Sequence, residues 1–274
     1  MVLLAPVSGA VPAGNRVAER PTSTVAPTVE RTPVSAPPAR AVQALPAVPA
    51  PATLPVIDYG PPPAGFPPDP TPLSTAPLTV GLRPDRRIGA YDAPGGRPRA
   101  LLAPTILGVP VTVPIVDRRA GWAAVLLPSA NRRIAWVPPG GWTEVPLRDL
   151  LIVARQTHRL TWWRGGERVR SWRVNLGHPR TPTPLGRTFV LGRSTLTGHV
   201  YADTDVFALG AVPDDSEAVP PGLRGAHIGL HTWYHDRELG RNTTDGCIRV
   251  TRTAQRELLD KIVPGTPVVV VERH

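Results

Sequence analysis

Hydrophobic and polar positions change rhythm twice along this 274-residue chain. Up to about Val80 there is no period at all, only prolines, alanines and threonines in strings such as VSAPPARAVQALPAVPAPATLP. From Arg83 onward, RIGAYDAPGG, GVPVTVPIV, GWAAVLLP and RRIAWVPPGGW are short β-prone pieces broken by Gly, Pro and Asn turns. That texture predicts a small all-β module over 83–148. Trp122, Val125, Leu127, Ile134, Trp136 and Val137 are enough to form its core. The two tryptophans are read as packing rather than as the walls of a ligand groove.

A second β texture begins at DLLIVARQTHRLTWWRGGERVRSWRVNLG. Two alternating runs flank Gly165-Gly166, a dipeptide that accepts the positive φ of a two-residue hairpin, so Arg159–Arg164 should pair with Glu167–Asn175. GRTFVLG predicts another strand. In AHIGLHTW, Ile228 and Leu230 alternate with His227, Gly229 and His231, the period of a half-buried strand. TRTAQRELLDKI sets Ala254, Leu258 and Ile262 on one helical stripe, with Thr251 or Thr253 as N-cap. Pro264-Gly265 stops this helix, and TPVVVVER closes the chain as a strand.

Composition sharpens the first boundary. About half of the 37 prolines precede position 81, and aromatics are almost missing there. Such a segment buries too little apolar surface to offset its ordering entropy, so 1–82 is predicted to be a disordered, partly polyproline arm. The opening MVLLAPVSGAVPAG is apolar but lacks a positive stretch before it. A trimmed secretory signal and a plain disordered terminus both fit, and membrane anchoring stays open. The net charge of +10 falls on the rest of the chain, almost all of it as arginine. This favours acidic partners such as anionic wall polymers. No Lys/Arg block or nucleic-acid-binding signature accompanies it, so no nucleic acid is expected. With one cysteine, no intramolecular disulfide forms.

That cysteine, Cys247 in TTDGCIRV, carries the candidate chemistry. A thiol attacks carbonyls as thiolate, and its ordinary pKa leaves little thiolate at neutral pH, so a base is needed. His231 ends a predicted strand sixteen residues earlier, and the polar loop YHDRELGRNTT lets the chain return to the same sheet edge. Gly246 permits close approach of a substrate to the backbone. His227, His231 and His235 would form a metal face on a helix, but strand alternation, Gly229 and the lack of a His-Glu-x-x-His pattern argue for no metal. Papain-like peptidases also pair Cys with His, but in them the cysteine comes first in the chain.

Histidine at a strand end, a polar loop and then Thr-x-Gly-Cys-Ile-Arg resembles the signature of the L,D-transpeptidase catalytic domain (YkuD-type). NLGHPRTPTPLGRTFV, AHIGLHT and VPGTPVVVV resemble further segments of that family. The preceding module resembles bacterial SH3-like domains.

The resemblance implies a mainly β chain: a disordered arm (1–82), a small SH3-like β-barrel (83–148) and a β-sandwich catalytic domain (149–274). It implies Cys247 as nucleophile, His231 as base, the Thr232 carbonyl orienting the imidazole, and the amides of Gly246 and Cys247 as oxyanion hole. Arg249, Thr244, Asp245 and His178 would meet substrate, with Tyr201 and Phe207 in a lid. No cofactor is implied. The expected substrate is the peptidoglycan stem peptide and the expected place is extracytoplasmic, at the cell wall or cell surface. Asp245 stands where the family usually has a histidine, which keeps a second reading in view, a catalytically weakened wall-binding protein.

Overall fold

A computed structural model describes residues 44–60, 63–129, 132–194, 204–211, 228–233 and 235–274. Residues 1–43 of the predicted arm, together with Tyr201 and His227, lie outside them.

The chain is mainly β with one short helix among the described residues. The first part lays down β1 (Val80–Pro84), β2 (Ile88–Tyr91), β3 (Pro98–Leu102), a tiny hairpin of β4 (Thr105–Ile106) and β5 (Val109–Pro110), then β6 (Val113–Arg119), β7 (Trp122–Leu126), β8 (Ile134–Val137) and β9 (Trp142–Pro146). Seven of them form an antiparallel sheet in the order β3-β2-β8-β7-β6-β1-β9. Trp122 is 1 % exposed and its ring meets Tyr91 edge-on at 5.0 Å, so the tryptophans are core, as their spacing predicts.

The second part contains β10 (Asp149–Ala154), β11 (Arg159–Arg164), β12 (Glu167–Arg173), β13 (Leu176–Gly177), β14 (Gly186–Ser194), β15 (Val206–Gly210), β16 (Gly229–His231), β17 (Asn242–Thr244), β18 (Ile248–Arg249), α1 (Arg252–Lys261) and β19 (Pro267–Val271). Eight strands make one mixed sheet, β12-β11-β10-β19-β14-β15-β16-β18, parallel at β10/β19 and at β16/β18. The β11–β12 hairpin turns through Gly165 and Gly166 at φ 59° and 86°. Helix α1 starts at Thr251, whose side chain accepts from the Ala254 N–H, and buries the stripe Ala254, Leu258 and Ile262 against Leu230, Ile248 and Val268.

The described stretches 44–60 and 63–79 correct the expectation of a disordered arm. They lie along the first sheet, with Ile57 and Phe66 buried and their proline and neighbouring carbonyls accepting sheet hydrogen bonds. Leu101 N–H donates to Pro55 O (2.9 Å), Ile134 N–H to Pro67 O (3.0 Å), and Trp122 Nε1 to Leu45 O (2.8 Å). Composition missed this because proline lacks a donor but keeps its acceptor: Pro55 and Pro67 accept from the sheet while the N–H groups of Leu45, Ile57 and Asp69 donate to it. The strap then reaches the second sheet. Asp69 forms a bidentate pair with Arg187 of β14, Nε to Oδ2 at 2.8 Å, with side chains 1 % and 4 % exposed.

Candidate active site

The site grows from two short parallel strands. In β16, Leu230 is fully buried and Ile228 just before it nearly so; both belong to the core that α1 covers, which leaves Gly229 and His231 on the other side. The register Leu230↔Ile248 and His231↔Arg249 sets Cys247, just before β18, beside Gly229. The Gly229 N–H points at Cys247 Sγ across 3.4 Å. A Cβ on Gly229 would press on Val206 Cγ1 at 3.1 Å and touch His231 Cδ2 at 3.5 Å, so glycine suits this crowded position on the histidine face. Cys247 and His231 fall on one face of this parallel pair, two register steps apart.

The imidazole is aimed by its own neighbour. His231 Nδ1 lies 2.6 Å from Thr232 O, and since a carbonyl only accepts, Nδ1 carries the hydrogen and Nε2 the lone pair. Thr232 is itself wholly buried. The turn ahead of Cys247 is locked from within. Thr244 Oγ1 donates to Cys247 O (2.6 Å) and accepts the Gly246 N–H (3.2 Å). Gly246 holds φ +104°, and a Cβ there would come within 2.8 Å of Ile228 Cδ1, so no other residue fits this turn unstrained.

Burial dominates the electrostatics. His231 falls to about 4, first through burial, then through the positive charge of Arg249, against the opposing Thr232 carbonyl. The Cys247 thiol is pushed up, mainly by burial and slightly by Asp245, while the Gly229 N–H and Arg249 act the other way. At neutral pH the cysteine is therefore a thiol and the imidazole neutral, not an ion pair.

Several candidates stand elsewhere than the sequence implies. Phe207 is wholly buried on β15 among core residues and cannot form part of a lid. Thr244 is 1 % exposed and its hydroxyl builds the turn instead of meeting a substrate. The Gly246 N–H is already given to Thr244 Oγ1, so it does not serve the oxyanion hole that the resemblance implies. Asp245 is exposed beside the thiol. His178 is exposed; its N–H donates to Thr244 O (2.7 Å) and its Nδ1 accepts from Arg180 N (3.2 Å), fixing the loop that covers Gly246. Arg249 stacks on Trp233, Cζ 3.5 Å from the ring centre, and pairs with Glu238 at 3.1 Å. Glu238, Asn175 and Trp233 escape sequence reading because nothing but folding brings them to Arg249. Gly229 had a signal, a glycine on the histidine face of an alternating strand.

Residues 148–270 match the family model of the YkuD L,D-transpeptidase catalytic domain. Among solved structures, the chain is similar to an L,D-transpeptidase from Mycobacterium smegmatis, with 17% identity over 58% of this chain and 82% of that one and a TM-score of 0.39. It is also similar to L,D-transpeptidase 3 from Mycobacterium tuberculosis (16% identity, 52% and 75% coverage, TM-score 0.37). A third similar structure is the catalytic domain of an E. faecium L,D-transpeptidase (22% identity, 45% and 96% coverage, TM-score 0.33). No curated protein matches the chain.

Proposed function

We propose that the chain is a peptidoglycan L,D-transpeptidase, with residues 149–274 as its catalytic domain and 83–148 as an accessory β module. The observation that carries this reading is the placement of Cys247 and His231 on one face of adjacent strands, with the sulfur at the Gly229 amide and the imidazole held by Thr232. His231 Nε2 takes the thiol proton as sulfur attacks the carbonyl after the third residue of a tetrapeptide stem. The Cys247 N–H faces the developing oxyanion, and the imidazolium returns its proton to the departing D-alanine. The resulting thioester is resolved by the amine of a second stem, giving a 3→3 cross-link. Since stems of this kind lie outside the cytoplasm, the protein would work there, at the wall; no helix among the described residues is long and apolar enough to cross a membrane.

The exposed carboxylate of Asp245 disfavours the thiolate, which supports weakened catalysis as the second reading. Mass spectrometry of the full chain after incubation with a carbapenem separates the two. One covalent adduct on Cys247, lost in Cys247→Ala, is expected. A folded protein with no adduct would leave wall binding, measured by pull-down on purified sacculi, as the function.

A further inference from the structure

Arg249 carries the only positive charge that bears on both reacting groups among the described residues, lowering the pKa of Cys247 and of His231 alike. Its backbone is fixed by a reciprocal pair with Asn175, Arg249 N–H to Asn175 O at 2.9 Å and Asn175 N–H to Arg249 O at 3.0 Å. A long side chain on a fixed backbone still has many rotamers, and the charge acts only where the guanidinium rests. Two contacts decide that. The Trp233 ring lies under the guanidinium within cation–π range, and Glu238 Oε2 takes Arg249 Nη1 at 3.1 Å.

Glu238 is itself unusually well anchored for a loop carboxylate. The same Oε2 accepts from Thr243 Oγ1 (3.1 Å) and Asn175 Nδ2 (3.3 Å). Asn175 Nδ2 also donates to Thr243 Oγ1 (2.7 Å), and its Oδ1 accepts the Thr243 N–H (3.2 Å). Glu238 O meanwhile accepts the Arg241 N–H, and Gly240 N–H donates to Val174 O, so the loop bearing the carboxylate is tied to the strand that precedes Asn175. One oxygen thus gathers three donors, two of which, Thr243 and Asn175, are also bonded to each other.

We propose that Glu238 is a positioning residue for the Cys247 thiol, acting through Arg249: its carboxylate keeps the guanidinium on Trp233 and beside the Cys247–His231 face. The assignment rests on the acyl-transfer reading of that face. The charged and titratable groups around the thiol are His231 on β16, Arg249 on β18, Asp245 in the turn and, paired with Arg249, Glu238 in the connecting loop.

Two effects of removing Glu238 have opposite signs, which makes the idea testable. Deleting a negative charge would by itself favour thiolate and lower the pH midpoint of Cys247. Releasing the guanidinium into solvent would raise it. The test is the pH dependence of Cys247 alkylation by iodoacetamide in the full chain. Glu238→Ala should raise the midpoint by about half a unit, roughly threefold less thiolate at neutral pH. Glu238→Gln keeps an acceptor oxygen and should leave the midpoint at or below its wild-type value. In an Arg249→Met background, Glu238→Ala should produce no rise. A midpoint that falls or stays put in Glu238→Ala overturns the proposal, as does a rise that persists without Arg249. Should Glu238→Ala not fold, a rise in Glu238→Gln overturns it, and a midpoint at or below wild type in that variant upholds it. Alkylation needs no transpeptidation, so a shifted midpoint with no carbapenem adduct would sink the enzymatic reading alone. An adduct in the wild type with no shift would sink Glu238 alone.

Discussion

Two arginine–carboxylate pairs in the second sheet look alike in composition and do opposite things. Asp69 and Arg187 join the proline-rich strap to β14, with both side chains all but sealed from water. Glu238 and Arg249 join a loop to β18, with side chains 27 % and 13 % exposed and the guanidinium stacked on Trp233. In the first pair the charges cancel in place and the product is a junction. In the second, the anion serves to aim the cation. Burial separates the two: a sealed pair is costly to break, whereas a half-open one can be lost with the fold intact.

The largest expected effect lies at the junction. Asp69→Ala would strand the Arg187 guanidinium in a buried position, with Thr71 N–H also losing its acceptor. A loss of about 3–5 kcal/mol in unfolding free energy is expected, read from urea denaturation of the full chain. An accompanying release of the strap should make 44–79 sensitive to proteolysis in the native state. A loss below about 1 kcal/mol would show that Asp69 and Arg187 are no more coupled than a surface pair, and the contrast would fail.

His231 tests the other side of the contrast, a buried titratable group kept neutral instead of paired. It titrates near 4 when folded and near its ordinary 6.5 when unfolded. Between those values the unfolded chain holds a proton that the folded chain lacks, so this contribution to stability is complete above pH 6.5 and is lost as pH falls toward 4. The total is about 3 kcal/mol, with stability dropping by about 1.4 kcal/mol per pH unit inside the window. Denaturation at pH 7, 5.5 and 4.5 should give a steeper decline for the wild type than for His231→Gln. Parallel curves would mean that the imidazole is not buried in solution.

What the sequence made legible follows the same division. Local rules were sufficient for the β11–β12 hairpin, since Gly165-Gly166 sets its turn, and for α1, since Thr251 caps it and the 254/258/262 stripe buries it. Cys247 and His231 were legible because strand alternation and a short polar return loop put them together. The strap was not, because composition counts apolar side chains and overlooks proline carbonyls as acceptors. Nor was the Glu238 cluster, whose members Asn175, Glu238, Thr243 and Arg249 span some seventy positions and meet only through tertiary pairing. Phe207 was misplaced for a related reason. The resemblance alone set it in a lid, whereas its strand partner, Leu230, shows that it faces the core.

The smallest effect is the one that most sharpens the comparison. Glu238→Gln removes a charge from a partly hydrated pair while retaining an oxygen for Thr243, Asn175 and Arg249. Water can screen what remains of the Arg249 charge, and the stacking on Trp233 is untouched. The expected loss of stability is therefore below about 1 kcal/mol, against the several expected from Asp69→Ala, with unchanged dependence on urea in both. Glu238→Gln nearly as stable as wild type, together with a raised Cys247 midpoint in Glu238→Ala, would separate aiming from holding. Equal losses at the two carboxylates would instead make Glu238 a second junction, and the orientation of Arg249 a by-product of the fold.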